Sequence, residues 1–341
     1  MISPLNLPPP SGGFSTRQTL EILAKLGHSP KKPLGQNFLV DANIVRKSIE
    51  LAAIEPGCAV VEIGPGLGTL TAALLSAGAR VFAVERDPVL ARHLRSWLTP
   101  LFPDTFHLLE ADAVRHPLAG MPERLFGVGR EGVGGSVPAG KAGVEGKKNG
   151  DLGNASKPPP PVTPSVPPFP DFKVVANLPY AISTPWISAL LEAPALPSRM
   201  VVMLQKETAE RLTATPENGG GKSVSAISIA LDCAFERATS HGIPPSCFHP
   251  APRVDSVLLH LVRKPAPRRL RPVTRGLLRA LFLCRRKQIG TLLRKLPMHN
   301  PAIDGWLARL PEWGATAQSR PESIPFPAWH ALDDMLADLT H

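Results

Sequence analysis

The sequence predicts an α/β protein whose core is an open parallel sheet, with a small helical domain at its carboxyl end. Short apolar runs alternate with stretches of helical periodicity from about residue 35 onward. Glycines or acidic residues follow several of these runs, as expected where strands end and loops begin. Beyond residue 262 the apolar residues recur at helical spacing alone. Alternation of this kind predicts a parallel sheet with helices on both faces.

The predicted elements follow from these patterns in chain order. Predicted strands cover residues 59–63, 81–84, 106–109, 173–176 and 200–204. Residues 223–231 and 254–262 also have strand character and are expected to complete the sheet. Helical patterns cover residues 16–25, 69–76 and 88–98, and they return around Leu281, Leu292, Trp306 and Trp329.

Composition divides the chain into parts. Residues 1–33 are expected to be a mostly disordered extension, apart from a short helical pattern at 16–25, and residues 34–264 form the main domain. Residues 126–170 are rich in Gly, Pro and Lys. Such a segment cannot bury enough apolar surface to offset its ordering entropy, so it predicts a disordered insertion. Residues 265–341 are expected to form a small helical domain.

The bulk numbers favour a folded protein with a polyanionic partner. Of the 341 residues, 43% are hydrophobic, and the formal net charge is +10. Such a charge favours phosphate contact, although an ordinary basic protein would share it. Four scattered cysteines without a CxxC pair argue against a disulfide framework or a metal site and fit the cytoplasm. No apolar run approaches the ~18 residues of a membrane span, and a monomer is expected.

A glycine-rich segment between the first long strand and its helix predicts a ligand site. Gly64, Gly66 and Gly68 let the backbone approach a ligand closely, but this spacing alone also suits a dinucleotide. Glu85 ends the next strand, where a carboxylate can accept hydrogen bonds from ribose hydroxyls. Asp112 follows the third strand, where it can accept from an exocyclic amine. Either acid alone is typical of a solvated loop, whereas the joint arrangement favours ligand contact.

The segment Asn177-Leu178-Pro179-Tyr180 follows the strand at 173–176 and therefore belongs to the same sheet edge. The Asn177 side-chain oxygen and the Leu178 carbonyl can accept both protons of an adenine N6 amine, which would localise its lone pair. Tyr180, the only tyrosine, can stack on a base turned out of an RNA loop. Elsewhere this segment would predict only a turn with a core tyrosine. At this edge it predicts a base-holding site that needs neither a metal nor a strong base.

Several motifs in this order resemble the ribosomal RNA adenine dimethyltransferase family, specifically its small-subunit branch. They span residues 33–295 and include Leu34-Gly35-Gln36-Asn37-Phe38-Leu39, the glycine segment, Val84-Glu85-Arg86-Asp87, Glu110-Ala111-Asp112-Ala113, Asn177-Leu178-Pro179-Tyr180, Met203-Leu204-Gln205-Lys206-Glu207 and Phe248-His249-Pro250-Ala251-Pro252-Arg253. The resemblance implies a Rossmann-like, class I S-adenosylmethionine-dependent methyltransferase fold.

The resemblance also implies residue roles. It implies contacts with S-adenosylmethionine at Asn37, Leu39, Gly64, Glu85, Asp112 and Asn177. It places Phe248 against the target base, opposite Tyr180. The implied reaction is the dimethylation of two adjacent adenines near the 3′ end of small-subunit rRNA, in an assembled small subunit.

Three features depart from the family pattern. The insertion after Asp112 is unusual, Gly220-Gly221 stands where a Tyr-Gly pair is common, and Ala181 stands where Asn is frequent. None removes an implied contact.

A basic stretch predicts an RNA-contacting surface in the helical domain. Between Ser256 and Ile303 there are twelve Lys or Arg and no Asp or Glu. Arg285, Arg286 and Lys287 are expected within an amphipathic helix. A solvated helix face is the usual role of such a run, but its length without acids favours phosphate contact.

Three other functions stay open. A large-subunit adenine methyltransferase of the antibiotic-resistance type shares most motifs, although Asn-Leu-Pro-Tyr and the extended carboxyl-terminal domain disfavour it. An NAD-dependent oxidoreductase is disfavoured because no catalytic dyad or second nucleotide half is visible. A non-catalytic assembly or transcription factor on the same fold is disfavoured by the intact acids and Asn177.

Overall fold

The computed structural model describes residues 13–31, 34–122, 171–218, 221–295 and 300–337. The predicted insertion at 126–170 lies outside these ranges, as do residues 1–12 and Gly220. The predictions made for them stay predictions.

A seven-stranded sheet forms the centre of the described structure. The strands are β1 (Phe38–Leu39), β2 (Ala59–Ile63), β3 (Arg80–Glu85), β4 (Phe106–Glu110), β5 (Phe172–Asn177), β6 (Arg199–Gln205), β7 (Phe235–Ile243), β8 (Phe248–His249) and β9 (Ser256–Arg263). The sheet order is β4-β3-β2-β5-β6-β9-β7, and β1 pairs separately with β8. The five strands from β4 to β6 are parallel, whereas β9 is antiparallel to both of its neighbours. The prediction of a mainly parallel sheet is confirmed.

Helices cover both faces of this sheet. The helices of the described structure, including α8 to α11 beyond the sheet, are α1 (Thr16–Lys25), α2 (Ala42–Leu51), α3 (Thr69–Ser76), α4 (Pro88–Leu98), α5 (Ser183–Glu192), α6 (Lys206–Leu212), α7 (Ala226–Ala234), α8 (Pro272–Leu283), α9 (Ile289–Leu293), α10 (Pro301–Arg309) and α11 (Phe326–Met335). Strand β2 separates two apolar layers, because Val60 belongs to the layer that contains side chains of α1 to α4 and Val61 belongs to the layer that contains side chains of α5 and α7. Because the central strands β2, β5 and β6 are buried on both faces, their sequences are nearly continuous apolar runs.

The strand expected at 223–231 is wrong. Helix α7 occupies most of that stretch, and its capping box joins Ser225 to Ser228. The seventh strand, β7, follows it, and only its two end residues, Phe235 and Ile243, are buried. An edge strand with an exposed polar centre has no apolar alternation, so the sequence pattern did not indicate it.

The structure describes residues 13–31 of the amino-terminal extension, and ordered structure extends on both sides of the helix predicted at 16–25. Helix α1 forms where its pattern predicted and is capped by Ser15. Phe14 is only 1% exposed and packs on Trp97 of α4 with ring centroids 5.4 Å apart. This stretch therefore supports the helices behind the glycine-rich loop.

Helices α8 to α11 enclose a third core around Trp306 and Trp329, whose ring centroids are 5.1 Å apart. Ile229 and Cys233 of α7 belong to the same core. The carboxyl-terminal helices therefore pack directly on the main domain, and a boundary near residue 265 stays a proposal. No helix in the described ranges is long and apolar enough to cross a membrane.

Candidate functional site

A cavity opens at the carboxyl ends of β2, β3, β4 and β5. Nine of the ten residues predicted to bind methyl donor or base line it, namely Asn37, Leu39, Gly64, Glu85, Asp112, Asn177, Leu178, Pro179 and Tyr180. They come from distant parts of the chain, and parallel strands bring them together because their ends meet at one edge. The tenth, Phe248, is not among the lining residues.

The glycine-rich loop forms one wall of this cavity. Gly64 and Gly66 have φ values of +64° and +61°, which non-glycine residues rarely adopt. A side chain at Gly64 would also begin 2.9 Å from the Pro179 Cγ atom. The loop and the segment of Asn177 therefore touch, and glycine is required for that contact.

Glu85 lies at the end of β3 and connects that strand to the loop. Its Oε2 accepts a hydrogen bond from the Gly66 amide at 3.1 Å, and its Oε1 accepts from the Arg86 and Asp87 amides at 2.9 Å. Burial raises the pKa of the Glu85 carboxyl. A carboxylate has about four acceptor directions, so capacity for a ligand hydroxyl is left.

Asp112 lies across the cavity, after β4. Its Oδ1 accepts from the Val114 amide at 2.9 Å, and its Oδ2 is 3.4 Å from Arg86 Nη1. The side chain is held by a turn and a partly exposed ion pair, and it can accept a hydrogen bond from a ligand amine.

Asn177 is the last residue of β5, and its amide has a defined orientation. Its Nδ2 donates to the Asn37 carbonyl at 2.8 Å, and the Leu178 amide donates to the Met203 carbonyl at 3.1 Å. Within the described residues, no donor occupies Asn177 Oδ1 or the Leu178 carbonyl. The two acceptors that the sequence hypothesis requires are both available.

Tyr180 follows in a short 3-10 turn beside this pair. Its hydroxyl is 2.5 Å from Ser256 Oγ, and burial raises the pKa of the phenol. The bond to β9 fixes the direction of the ring, so the tyrosine is a neutral, anchored aromatic wall.

Phe248 lies elsewhere. It belongs to β8, pairs with Leu39 of β1, and is only 3% exposed. Its ring packs with the core that supports the loop. A role against the target base stays a proposal, because the described structure does not bring this ring into the cavity.

The basic residues are placed differently from the prediction. Helix α8 ends at Leu283, so Arg285, Arg286 and Lys287 lie in the turn before α9 and not within a helix. Arg285 donates to the Lys222 carbonyl at 2.7 Å and is 3.7 Å from a Glu322 carboxylate oxygen. Arg286 and Lys287 are exposed, and in the described structure their side chains form no hydrogen bond or ion pair.

The acid-free stretch is also partly neutralised by distant acids. Arg271 is 2.9 Å from Asp333, Arg279 is 2.7 Å from Glu192, and Lys264 is 3.4 Å from Asp232, all measured between charged atoms. Arg268 pairs with Asp334. The linear run of positive charge therefore overstates the basic surface.

Glu62 is a site residue that sequence reasoning missed. It lines the cavity, is 1% exposed, and has an Oε2 atom with no hydrogen-bond partner among the described residues. Burial raises its pKa to about 8, and the nearby Glu85 adds to the rise. The sequence did contain a signal for this residue, because Glu62 is the one acid in an otherwise apolar strand that ends just before the glycines.

We expect Glu62→Gln to change the pH dependence of stability. The pKa rises from 4.5 unfolded to about 8 folded. Unfolding therefore releases a proton between these values, and stability falls as pH rises through that window. Glutamine removes this slope, so the stability of the variant relative to the parent should increase by up to about 4 kcal/mol from pH 5 to pH 9. Urea unfolding at both pH values measures it, and an equal difference at both would contradict the assignment.

Among the described residues, no cluster of three or more His, Cys, Asp or Glu could hold a metal ion.

Solved structures with a similar fold include RNA methyltransferases. A dimethyladenosine transferase from Plasmodium falciparum matches with a TM-score of 0.57 and 22% identity, covering 86% of this chain and 95% of that chain. The 23S rRNA methyltransferase ErmE matches with a TM-score of 0.54 and 23% identity, covering 88% and 99%. At these identities the matches show the fold, a Rossmann-like methyltransferase sheet.

Sequence relatives give a closer relationship. The chain is 51% identical over 315 residues to ribosomal RNA small subunit methyltransferase A of Opitutus terrae, covering 92% of this chain and 96% of that protein. It is 35% identical over 294 residues to the protein of the same name from Moorella thermoacetica, covering 84% and 86%. The family model described as ribosomal RNA adenine dimethylase matches residues 27–303. The chain therefore belongs to the ribosomal RNA adenine dimethylase family and is an rRNA adenine dimethyltransferase.

Proposed function

We propose that this enzyme uses S-adenosylmethionine to dimethylate N6 of two adjacent adenines in the 3′-terminal hairpin of small-subunit rRNA. The observation that carries the proposal is the acceptor pair of Asn177 Oδ1 and the Leu178 carbonyl at the cavity wall. Because Asn177 Nδ2 is engaged by Asn37, the amide presents its oxygen and not its nitrogen to a ligand.

This pair explains how a weak nucleophile is activated. The lone pair of an adenine N6 amine is delocalised into the ring, and hydrogen bonds to two fixed acceptors favour a geometry that localises it. Tyr180 can stack on the base while Ser256 holds its hydroxyl. The two acceptors and the ring together fix the amine in a near-attack position, which supplies most of the catalysis.

The opposite side of the cavity fits the methyl donor. Glu85 can accept from ribose hydroxyls, Asp112 can accept from the adenine amine, and the positive-φ glycines leave room for close backbone approach. When bound, S-adenosylmethionine supplies an electrophilic methyl group on a sulfonium. The residues of this chain then need to align two reactants and exclude water.

The small subunit is the substrate we favour, because the relatives above 30% identity named here act, by their names, on small-subunit RNA. Incubation with a labelled methyl donor and unmethylated small or large subunits tests it. We expect labelled N6,N6-dimethyladenine in small-subunit rRNA. Label confined to large-subunit rRNA would refute the choice, and no label in either would refute the reaction.

We also propose that the enzyme acts as a monomer, because one chain supplies every group of the cavity. All four cysteines are free, which supports a reducing cytoplasm, where small subunits would be available as substrate.

The turn before α9 is our proposed RNA contact. Charge reversal at Arg286 and Lys287 should weaken binding to small subunits and lower the slope of log K against log salt by about two. Arg285→Glu should weaken binding too, but it also disrupts the contacts with Lys222 and Glu322. Reversal of Arg17, an exposed residue on α1, is the control. An unchanged salt slope in the Arg286 and Lys287 variant would contradict the contact.

A further inference from the structure

A polar cluster around the buried Asp87 carboxylate joins the segment over the cavity to the end of β3. This Asp87 cluster consists of His28, Lys31, Gln36 and Asp87. Asp87 Oδ2 is 2.7 Å from Lys31 Nζ, 3.4 Å from Gln36 Nε2 and 3.8 Å from His28 Nε2. Gln36 Oε1 accepts from the Lys31 amide at 2.8 Å and is 3.3 Å from His28 Nε2. The Asp87 side chain is fully buried.

Residues 34–39, the cover segment, extend from this cluster across the cavity. All six line the cavity. At its far side the segment meets the base-holding residues, because the Asn37 carbonyl accepts from Asn177 and Gly35 packs against the Tyr180 backbone. A Cβ atom at Gly35 would begin 3.1 Å from the Tyr180 nitrogen. The cover segment therefore connects the two halves of the site.

Asp87 also holds the methyl-donor side of the cavity. Its own amide donates to Glu85 Oε1 at 2.9 Å, so the carboxylate that holds the cover segment is two residues from the proposed ribose acceptor. Its Oδ1 accepts from the Val89 and Leu90 amides and caps α4. Asp87 Oδ1 therefore caps helix α4, whereas Asp87 Oδ2 accepts from Gln36 of the cover segment.

We propose that Asp87 is a positioning residue which, through Lys31 and Gln36, holds the cover segment over the bound methyl donor and aligns it with the Asn177 turn. This rests on the proposed function, because the cavity must bind S-adenosylmethionine. The charge matters here, since Lys31 and Gln36 both present N–H groups to one buried oxygen. Removal of that charge takes the buried acceptor away from the Gln36 amide and releases the half-exposed Lys31 ammonium to solvent.

Asp87→Asn separates the two roles of the side chain. The Asn oxygen can still cap α4, whereas its NH2 group would face the N–H groups of Lys31 and Gln36. Asp41→Asn is the matched control, because Asp41 also caps a helix with Oδ1 while, among the described residues, its Oδ2 accepts only from the Cys247 thiol at 3.6 Å. Lys31→Met keeps the Asp87 carboxylate and removes the ammonium group that is paired with it.

Hydrogen–deuterium exchange without ligand and calorimetric binding of S-adenosylmethionine together form the test. For Asp87→Asn we expect faster exchange confined to residues 34–39 and a Kd about 10-fold higher. Lys31→Met should show a smaller effect in the same direction, and the double variant should add little to Asp87→Asn. Asp41→Asn should match the wild type in both measurements.

Three results would overturn the inference. Asp87→Asn could leave both exchange and Kd unchanged, or it could speed exchange throughout α4, which indicates a capping role only. Additive effects of the Lys31 and Asp87 changes would also contradict a shared cluster. A wild-type protein that does not bind S-adenosylmethionine overturns the proposed function first and this inference with it, whereas wild-type binding with unchanged variants overturns the inference alone.

Discussion

Replacement of Asn177 by Ala should lower the rate of methyl transfer by about 1000-fold or more, because the reaction depends on positioning the target amine. Alanine removes the Oδ1 acceptor and the bond from Nδ2 to the Asn37 carbonyl. The backbone bond from Leu178 to Met203 and the buried Leu178 side chain are unaffected, so the fold should persist. Single-turnover transfer to small subunits, with thermal unfolding measured in parallel, checks both expectations.

Two further variants sharpen this test. Asn177→Asp keeps acceptor oxygens but places a carboxylate against the Asn37 carbonyl, so it should retain more activity than Asn177→Ala while losing stability. Asn43→Ala, at an exposed position in α2 where Asn43 contacts Arg46, should change neither property. Near-normal transfer by Asn177→Ala would mean that the base is held by other groups.

The sequence alone predicted that the residues of this site lie close together, because parallel strands end at one edge of the sheet. Once the strands before Gly64, Glu85, Asp112 and Asn177 were recognised, the topology required their ends to be neighbours. The strands predicted at 59–63, 81–84, 106–109, 173–176 and 200–204 are each confirmed within one residue, whereas the apolar run at 223–231 is mostly helical. The helices predicted at 69–76 and 88–98 are also confirmed, and Gly68 and Asp87 are the residues that precede their first turns.

The failed predictions depend on contacts between distant residues. The strand at β7 has an exposed polar centre, so its pairing with β9 has no local signal. The positive stretch is partly neutralised by Asp333, Glu192 and Asp232, which no linear count of charge includes. The packing of the amino-terminal stretch also depends on a distant contact, because Phe14 packs on Trp97, 83 positions later in the chain.

The Asp87 cluster was missed for the same reason. Gln36 and Asp87 each belong to a motif, but nothing in the sequence joins them to His28 and Lys31. Glu62 was missed for a different reason, because only the glycines that follow it in the motif were interpreted as a ligand-binding feature. The burial that raises the pKa of Glu62 results from the packing of helix α3 on strand β2, which the local sequence does not indicate.

Gly64→Ala should have the second large effect, lowering methyl transfer about 100-fold. The added Cβ would lie 2.9 Å from Pro179 Cγ and 3.1 Å from Pro179 Cδ, both closer than carbon atoms approach without displacement. Because Pro179 sits between the Leu178 carbonyl and Tyr180, moving it shifts the acceptor pair and the aromatic wall together. The methyl-donor side should weaken as well, since the same loop donates the Gly66 amide to Glu85.

Gly57→Ala separates this contact from backbone strain. Gly57 has a φ of +83°, so alanine there is at least as strained as at Gly64, where φ is +64°, but no atom lies within 4 Å of its added Cβ. Both variants should lose about 1–2 kcal/mol of stability. Only Gly64→Ala should lose transfer and S-adenosylmethionine affinity, measured by single-turnover kinetics and calorimetry. Equal losses in both variants would show that the glycine loop acts through stability alone, and that its contact with Pro179 does not align the two substrates.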